Sequence, residues 1–278
     1  MGWIAHHRLS ERQKLKSLLL SRKNILMLAP RRIGKTWLMK QVDEDLDADG
    51  WTCIRIEVAG MDTEQKFLSA LCERIDQKRG IAGTVKSYLT AKLQQIKVGK
   101  GGDSLAQMIA GVDLRQFSET LMEALNEGHQ RTLLLIDEFP LFVLEYAKRD
   151  PDGVRTFLYH LRRLQQGFPN VSWFLTGSVG LDVVARRFKL EGALLDFEIF
   201  PLEPFTREEA RSFLAEQSDL GRFDAPLEYT DQAFDRLVGE LTDADFTEHT
   251  RMVFVETPAN PTLRITDLRR IVELAHRH

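Results

Sequence analysis

The run Asn24-Ile25-Leu26-Met27-Leu28-Ala29-Pro30-Arg31-Arg32-Ile33-Gly34-Lys35-Thr36 decides how the chain reads. An apolar stretch with strand character, Asn24–Ala29, enters a tight loop ending Gly-Lys-Thr, and a helix-forming stretch over 36–46 follows. That order builds a phosphate cradle, because loop N–H groups and the positive end of the helix converge on a polyphosphate. In such a loop Lys35 reaches the β- and γ-phosphates, and the Thr36 hydroxyl holds Mg²⁺. The full pattern is G-x-x-x-x-G-K-[ST], and here Ala29 occupies the first glycine position. Alanine adds only a methyl group, so the cradle survives if the backbone there does not need positive φ. The candidate nucleotide-binding set is therefore Ala29, Pro30, Arg31, Arg32, Ile33, Gly34, Lys35, Thr36 and Trp37. The bland alternative is a basic strand-to-helix turn that binds nothing.

A nucleotide hydrolase needs a second site, and Arg131-Thr132-Leu133-Leu134-Leu135-Ile136-Asp137-Glu138 supplies one. Continuous hydrophobics mark a strand buried on both faces, as central parallel strands are. Two adjacent carboxylates close it. Asp137 is the candidate metal residue beside Thr36, holding Mg²⁺ through water. Glu138, with Lys35, is the candidate catalytic residue, orienting or deprotonating the attacking water. Taken alone, the segment is also an ordinary strand with an acidic turn; the two segments in this order point to the nucleotide site.

Composition sets the outer bounds. At 278 residues, with 43% hydrophobic and 28% charged content, the chain suits a soluble globular protein of one large or two modest domains. Two cysteines, Cys53 and Cys72, propose neither a disulfide framework nor a zinc site and agree with a reducing cytosol. No apolar stretch reaches membrane-span length, and the N-terminus has no signal-peptide core, so the expected location is cytoplasmic with no membrane partner. The net charge of −3 hides a crowd of Lys and Arg between Arg8 and Lys40. Such a cluster serves nucleic acid, or a solvated helix plus a phosphate loop; with no interleaved aromatics the second reading is favoured.

Along the chain, helices are predicted over Leu9–Ser21, Thr63–Arg79, Leu114–Asn126, Gly153–Gln166, Leu181–Phe188 and Thr206–Ser218, the last opening on a Thr206/Glu209 capping box. Further strands are predicted at Trp51–Val58, Val171–Thr176 and Asp196–Pro201. The region 76–112 is hardest to read, and Gly99–Gly102 marks a loop. Strands alternating with helices imply an α/β fold on a parallel sheet.

Four segments together carry a resemblance: Ala-Pro-Arg-Arg-Ile-Gly-Lys-Thr, Leu-Leu-Leu-Ile-Asp-Glu-Phe-Pro, Phe-Leu-Thr-Gly-Ser-Val-Gly-Leu and Phe-Pro-Leu-Glu-Pro-Phe-Thr-Arg-Glu-Glu-Ala. Over roughly 8–218 the chain resembles the archaeal-type P-loop ATPases, AAA+-related proteins of the STAND group with origin-recognition relatives. The resemblance implies an AAA+-like P-loop NTPase fold: a parallel five-stranded sheet flanked by helices, with the carboxylate strand next-but-one to the phosphate-loop strand. It also implies ATP and Mg²⁺ as cofactors. Thr176 and Ser178 then lie where a polar sensor feels the γ-phosphate; simple turn chemistry is the competing account. Arg186 and Arg187 lie where related proteins present an arginine finger to a neighbouring subunit, and the favoured alternative is simply cations at a helix C-terminus.

The same resemblance implies a P-loop domain over 1–205 and a truncated or atypical helical lid over 206–241. From near Thr242 to the end the chain is instead similar to a piece of the pyridoxal-phosphate enzymes of cysteine and methionine metabolism, around Glu256-Thr257-Pro258-Ala259-Asn260-Pro261. Those enzymes need a Schiff-base lysine, and no lysine follows Lys189, so 242–278 reads as a non-catalytic tail. Three functions follow from these features. The first is an ATP-binding switch with slow Mg²⁺-dependent hydrolysis, partnered by protein or by further copies of itself. The second is a DNA-associated loader, and the third, resting on the tail alone, is a fragment of a transsulfuration-type enzyme.

Overall fold

The computed structural model describes residues 8–29, 33–93, 104–109, 112–178, 181–190 and 196–203, with isolated positions from 205 to 216. The chain divides into two compact units, one of residues 8–29 and 34–202, the other of 1–7, 30–33 and 203–278. The first holds nearly all the described residues.

Its strands are β1 (Asn24–Leu28), β2 (Thr52–Glu57), β3 (Thr132–Asp137), β4 (Val171–Gly177) and β5 (Phe197–Ile199). The helices are α1 (Leu9–Leu20), α2 (Lys35–Ala48), α3 (Glu64–Gln77), α4 (Ala82–Lys92), α5 (Leu105–Met108), α6 (Leu114–Asn126), α7 (Phe139–Arg149), α8 (Pro151–Gly167) and α9 (Leu181–Phe188). The strands form one sheet in the order β2-β3-β4-β1-β5, and every pairing is parallel. β4 therefore separates β1 from β3, as the resemblance implies. Registers Leu28↔Gly177 and Ile136↔Leu175 bring the carboxyl ends of these three strands to one edge.

Burial explains the apolar runs. All six residues of β3 and all seven of β4 are buried, so neither strand has a polar side. Alternation sorts their side chains between two layers. Leu134, Ile136, Trp173 and Leu175 join a core with α3 to α9, centred on Phe67, Phe142 and Phe157. Phe142 stacks on Phe67 with ring centroids 5.3 Å apart and meets Phe157 edge-on at 5.4 Å. On the opposite face, α1 and α2 bring Leu15, Leu19, Leu38, Met39 and Val42 against the sheet. Arg12 fastens the pair with a two-pronged contact to Asp45, at 3.0 and 2.6 Å.

Helix starts follow side-chain capping. Thr63, Asp113 and Asp150 each accept a hydrogen bond from a first-turn N–H of α3, α6 and α8. The sequence prediction omits α7 altogether, although Pro140 at its first turn and Phe139, Phe142, Val143 and Tyr146 at helical spacing mark it. The region 76–112 contains α4 and α5, which bury few side chains and show weak periodicity. The predicted Gly99–Gly102 loop, the lid and the tail lie outside the described residues, as does most of the predicted helix at Thr206–Ser218.

Candidate nucleotide site

The site is assembled at the carboxyl edge of the sheet. β1 ends at Leu28, and the Ala29 N–H donates to the Gly177 carbonyl at 3.2 Å, prolonging the β1–β4 ladder by one residue. Pro30, Arg31 and Arg32, in the middle of the loop, lie outside the described residues. Gly34 precedes α2 with φ +98°, a left-handed conformation that explains why glycine stands before the lysine. The helix then begins at Lys35, one residue earlier than predicted. Among the described residues no side chain caps it, and no acidic residue occupies its first turn. First-turn N–H groups have no acceptor within their own helix, which suits this end to an anion. Lys35 is 5% exposed, Thr36 is exposed and Trp37 is half-buried.

Thr36 Oγ1 donates to Asp137 Oδ2 at 2.7 Å, joining the start of α2 to the end of β3 across the intervening strand. The other oxygen, Oδ1, accepts from Thr176 Oγ1 at 2.5 Å and from the Glu138 backbone N–H at 3.0 Å. Asp137 is 7% exposed, and these three donors meet the demand that a buried carboxylate be hydrogen-bonded. Glu138 caps α7 in a left-handed conformation, with φ +58°. Its Oε2 accepts from Ser178 Oγ at 3.0 Å and from the Ser178 N–H at 3.4 Å.

Thr36, Asp137, Glu138, Thr176 and Ser178 thus form one connected network, although they are scattered over 36–178 in sequence. The hydroxyls of Thr176 and Ser178 are both engaged by carboxylates. Arg186 and Arg187 occupy the last turn of α9, both exposed, and the Arg187 guanidinium lies 5.6 Å from the Phe188 ring centroid. Cys53 and Cys72 are buried, and burial pushes the Cys53 thiol up to about 12 and that of Cys72 upward as well, so neither serves as a nucleophile.

Sequence reading missed Gly177 and Pro140. A Cβ added to Gly177 would lie 2.2 Å from Pro140 Cδ, so the start of α7 rests directly on the end of β4. A proline two residues past the paired carboxylates signalled a helix start there; its partner glycine carried no comparable signal.

Comparisons with known proteins bear on the fold and the family. Among solved structures the chain is similar to the Walker-type ATPase paby2304 of Pyrococcus abyssi, with 19% identity, a TM-score of 0.51, and 83% of this chain and 62% of that one covered. It is also similar to the ORC2 protein of Aeropyrum pernix in its ADPNP–ADP complexes, with 18% identity, a TM-score of 0.51, and 77% and 52% covered. The ORC1 protein of Aeropyrum pernix in complex with DNA matches with 19% identity and a TM-score of 0.48, over 77% of this chain and 50% of that one. The chain spans less than two thirds of the length of each, and at these identities the likeness is one of fold. Among curated proteins none matches. The family described as Cys/Met metabolism PLP-dependent enzyme matches residues 221–278, beginning earlier than the resemblance near Thr242. The AAA domain family matches residues 19–183, which include β1, the Lys35–Thr36 corner, the paired carboxylates and β4; the chain belongs to that family.

Proposed function

We propose that the chain binds ATP with Mg²⁺, hydrolyses it slowly, and uses the bound nucleotide as a conformational switch. The observation that carries this reading is the Thr36–Asp137 hydrogen bond, made between the helix after the phosphate loop and the strand two places away. The donor set suits Mg²⁺, since a hydroxyl and a carboxylate are hard oxygen ligands and this ion is commonly held by one or two such groups plus phosphates and water. Thr36 and Asp137 would hold it, and when bound it neutralises charge on the phosphates. Lys35, with the loop Ala29–Gly34 and the first turn of α2, grips the polyphosphate. Trp37 follows that corner directly in sequence and is the outermost member of the proposed binding set.

Glu138 orients the attacking water and accepts its proton. Oε2 is held by Ser178, and Oε1 makes no hydrogen bond to any described residue, so one acceptor is available to water. Ordering of nearby segments around the γ-phosphate is the switch output, and a protein partner or a further copy of the chain reads it. Arg186 and Arg187 are the candidate groups to act on a neighbouring subunit's nucleotide. Among the described residues no helix is long and apolar enough to cross a membrane. The P-loop domain ends near 205, a partial lid follows, and the pyridoxal-enzyme-like tail is non-catalytic, since the matched segment 221–278 contains no lysine to anchor that cofactor.

Titration calorimetry with ATP and Mg²⁺, paired with a phosphate-release assay, tests this. Lys35→Ala abolishes binding, whereas Glu138→Gln retains binding and loses turnover by at least about a hundredfold. Hydrolysis by Glu138→Gln at the parent rate removes Glu138 from its role. No heat from any nucleotide with the folded parent protein removes the function.

A further inference from the structure

We propose that the carboxyl end of β4 acts as a two-hydroxyl bracket, in which Thr176 aims Asp137 at the metal position and Ser178 aims Glu138 at the water. Both are positioning residues, and the proposal rests on the nucleotide-hydrolysing reading above. It assigns the two hydroxyls to carboxylates rather than to the γ-phosphate.

Geometry carries the argument. Consecutive residues in an extended strand point to opposite faces, so Asp137 and Glu138 would ordinarily diverge. The left-handed backbone at Glu138 breaks that alternation and returns the second carboxylate toward β4. Thr176 and Ser178, two residues apart, are spaced to meet one carboxylate each. Between them Gly177 has no side chain, and Pro140 fills the space a Cβ would occupy. That contact fixes the distance from β4 to the start of α7.

Pinning matters because carboxylates turn easily about their last bond, where the torsional wells are broad. Thr176 is fully buried and, with the Glu138 N–H, holds Asp137 Oδ1, which keeps Oδ2 on the side of Thr36. Glu138 has a longer chain and is half-buried, so the two donors of Ser178 restrict a group that would otherwise sample several rotamers. One bracket thereby gives adjacent acids separate tasks. Groups that orient metal-binding carboxylates commonly change metal affinity by about 10–100-fold when removed.

The test is a pair of readouts that part company. Nucleotide affinity is measured by calorimetry across a Mg²⁺ series with a chelator baseline, and kcat and KM are measured at saturating Mg²⁺. Thr176→Val needs at least about tenfold more Mg²⁺ for the same gain in affinity, while Thr176→Ser stays near the parent. Ser178→Ala keeps the parent's Mg²⁺ requirement and KM but loses at least about tenfold in kcat, and Ser178→Thr restores most of it. Melting curves establish that each variant is folded, and Thr176→Ala replaces Thr176→Val if the valine variant is not. A purely structural role moves melting temperature and leaves both readouts in place. The proposal fails if Thr176→Val keeps the parent's Mg²⁺ requirement, if Ser178→Ala turns over as fast as the parent or faster, or if both variants move the same parameter. A parent that binds no nucleotide overturns the functional reading as well; an active parent with indifferent variants overturns the bracket alone.

Discussion

Gly177 sits between the two hydroxyl residues of the site, where a Cβ would lie 2.2 Å from Pro140 Cδ and 2.5 Å from its Cγ. A proline ring beginning a helix has little room to yield. Gly177→Ala is therefore expected to destabilise the fold by about 1–3 kcal/mol, the usual cost of overpacking a closed site. Urea unfolding measures that loss, and an unchanged midpoint would mean that α7 slides freely past β4. Because the same shift moves Glu138 away from Ser178, turnover should fall in step. Among the site residues, Lys35, Thr36, Asp137 and Glu138 were legible as chemistry, since each belongs to a local string with a known mechanical use. The hydrogen bonds from Thr176 and Ser178 to those carboxylates were not legible, because hydroxyl residues after a strand also serve ordinary turns.

At the scale of elements, α7 ties the site to the core. The left-handed Glu138 stands at its N-cap, and one turn on, Phe142 contacts Phe67 of α3 and Phe157 of α8. Phe142→Ala should cost about 3–5 kcal/mol, as expected for an aromatic side chain with no exposure. A loss under about 1 kcal/mol in chemical denaturation would show that this cluster collapses around the gap. The prediction that omitted α7 stopped at the paired acids, where the motif ends; the helical spacing from Phe139 to Tyr146 was present beyond it. α4 was harder to see for a physical reason. It buries only Val85 and Leu89, so its apolar stripe is too thin to stand out.

Over the whole molecule, stability should depend on pH through His160, which links α8 to α6. It is 5% exposed, and its Nε2 lies 2.8 Å from Ser118 Oγ. The Ser118 hydroxyl donates to the Arg115 carbonyl at 2.9 Å, so Nε2 carries the proton and Nδ1 is left as an acceptor. Among the described residues Nδ1 has no hydrogen-bond partner, and it lies 3.8 Å from Glu119 Oε1. Burial lowers the His160 pKa from its ordinary 6.5; Glu119 and Asp113 oppose this, and Arg163 and Arg115 reinforce it. Burial outweighs Glu119 because that carboxylate is well exposed and screened. With the folded pKa depressed, the unfolded chain binds more protons below about pH 6.5, and this contribution to stability is lost as pH falls toward the folded value. Urea midpoints compared between pH 7.5 and 5.5 should fall less for His160→Gln than for the parent. Equal falls would place the acid sensitivity elsewhere.

What the sequence by itself determined was the parts: a strand running into a Gly-Lys-Thr helix start, a strand buried on both faces ending in two acids, and a third apolar strand ending Thr-Gly-Ser. Those follow from local rules of periodicity, burial and turn chemistry. The resemblance implied that the carboxylate strand lies next but one to β1; only the tertiary structure decided which strand stands between them and where β2 and β5 join. Inserting β4 between β1 and β3 pairs Ile25 with Phe174 and Leu135 with the same Phe174, contacts between segments far apart in sequence. No local pattern encodes such pairings, because parallel neighbours are chosen by how helices and apolar faces pack. That choice carries the Thr176 and Ser178 hydroxyls to the carboxylates and turns three separate strand ends into one site.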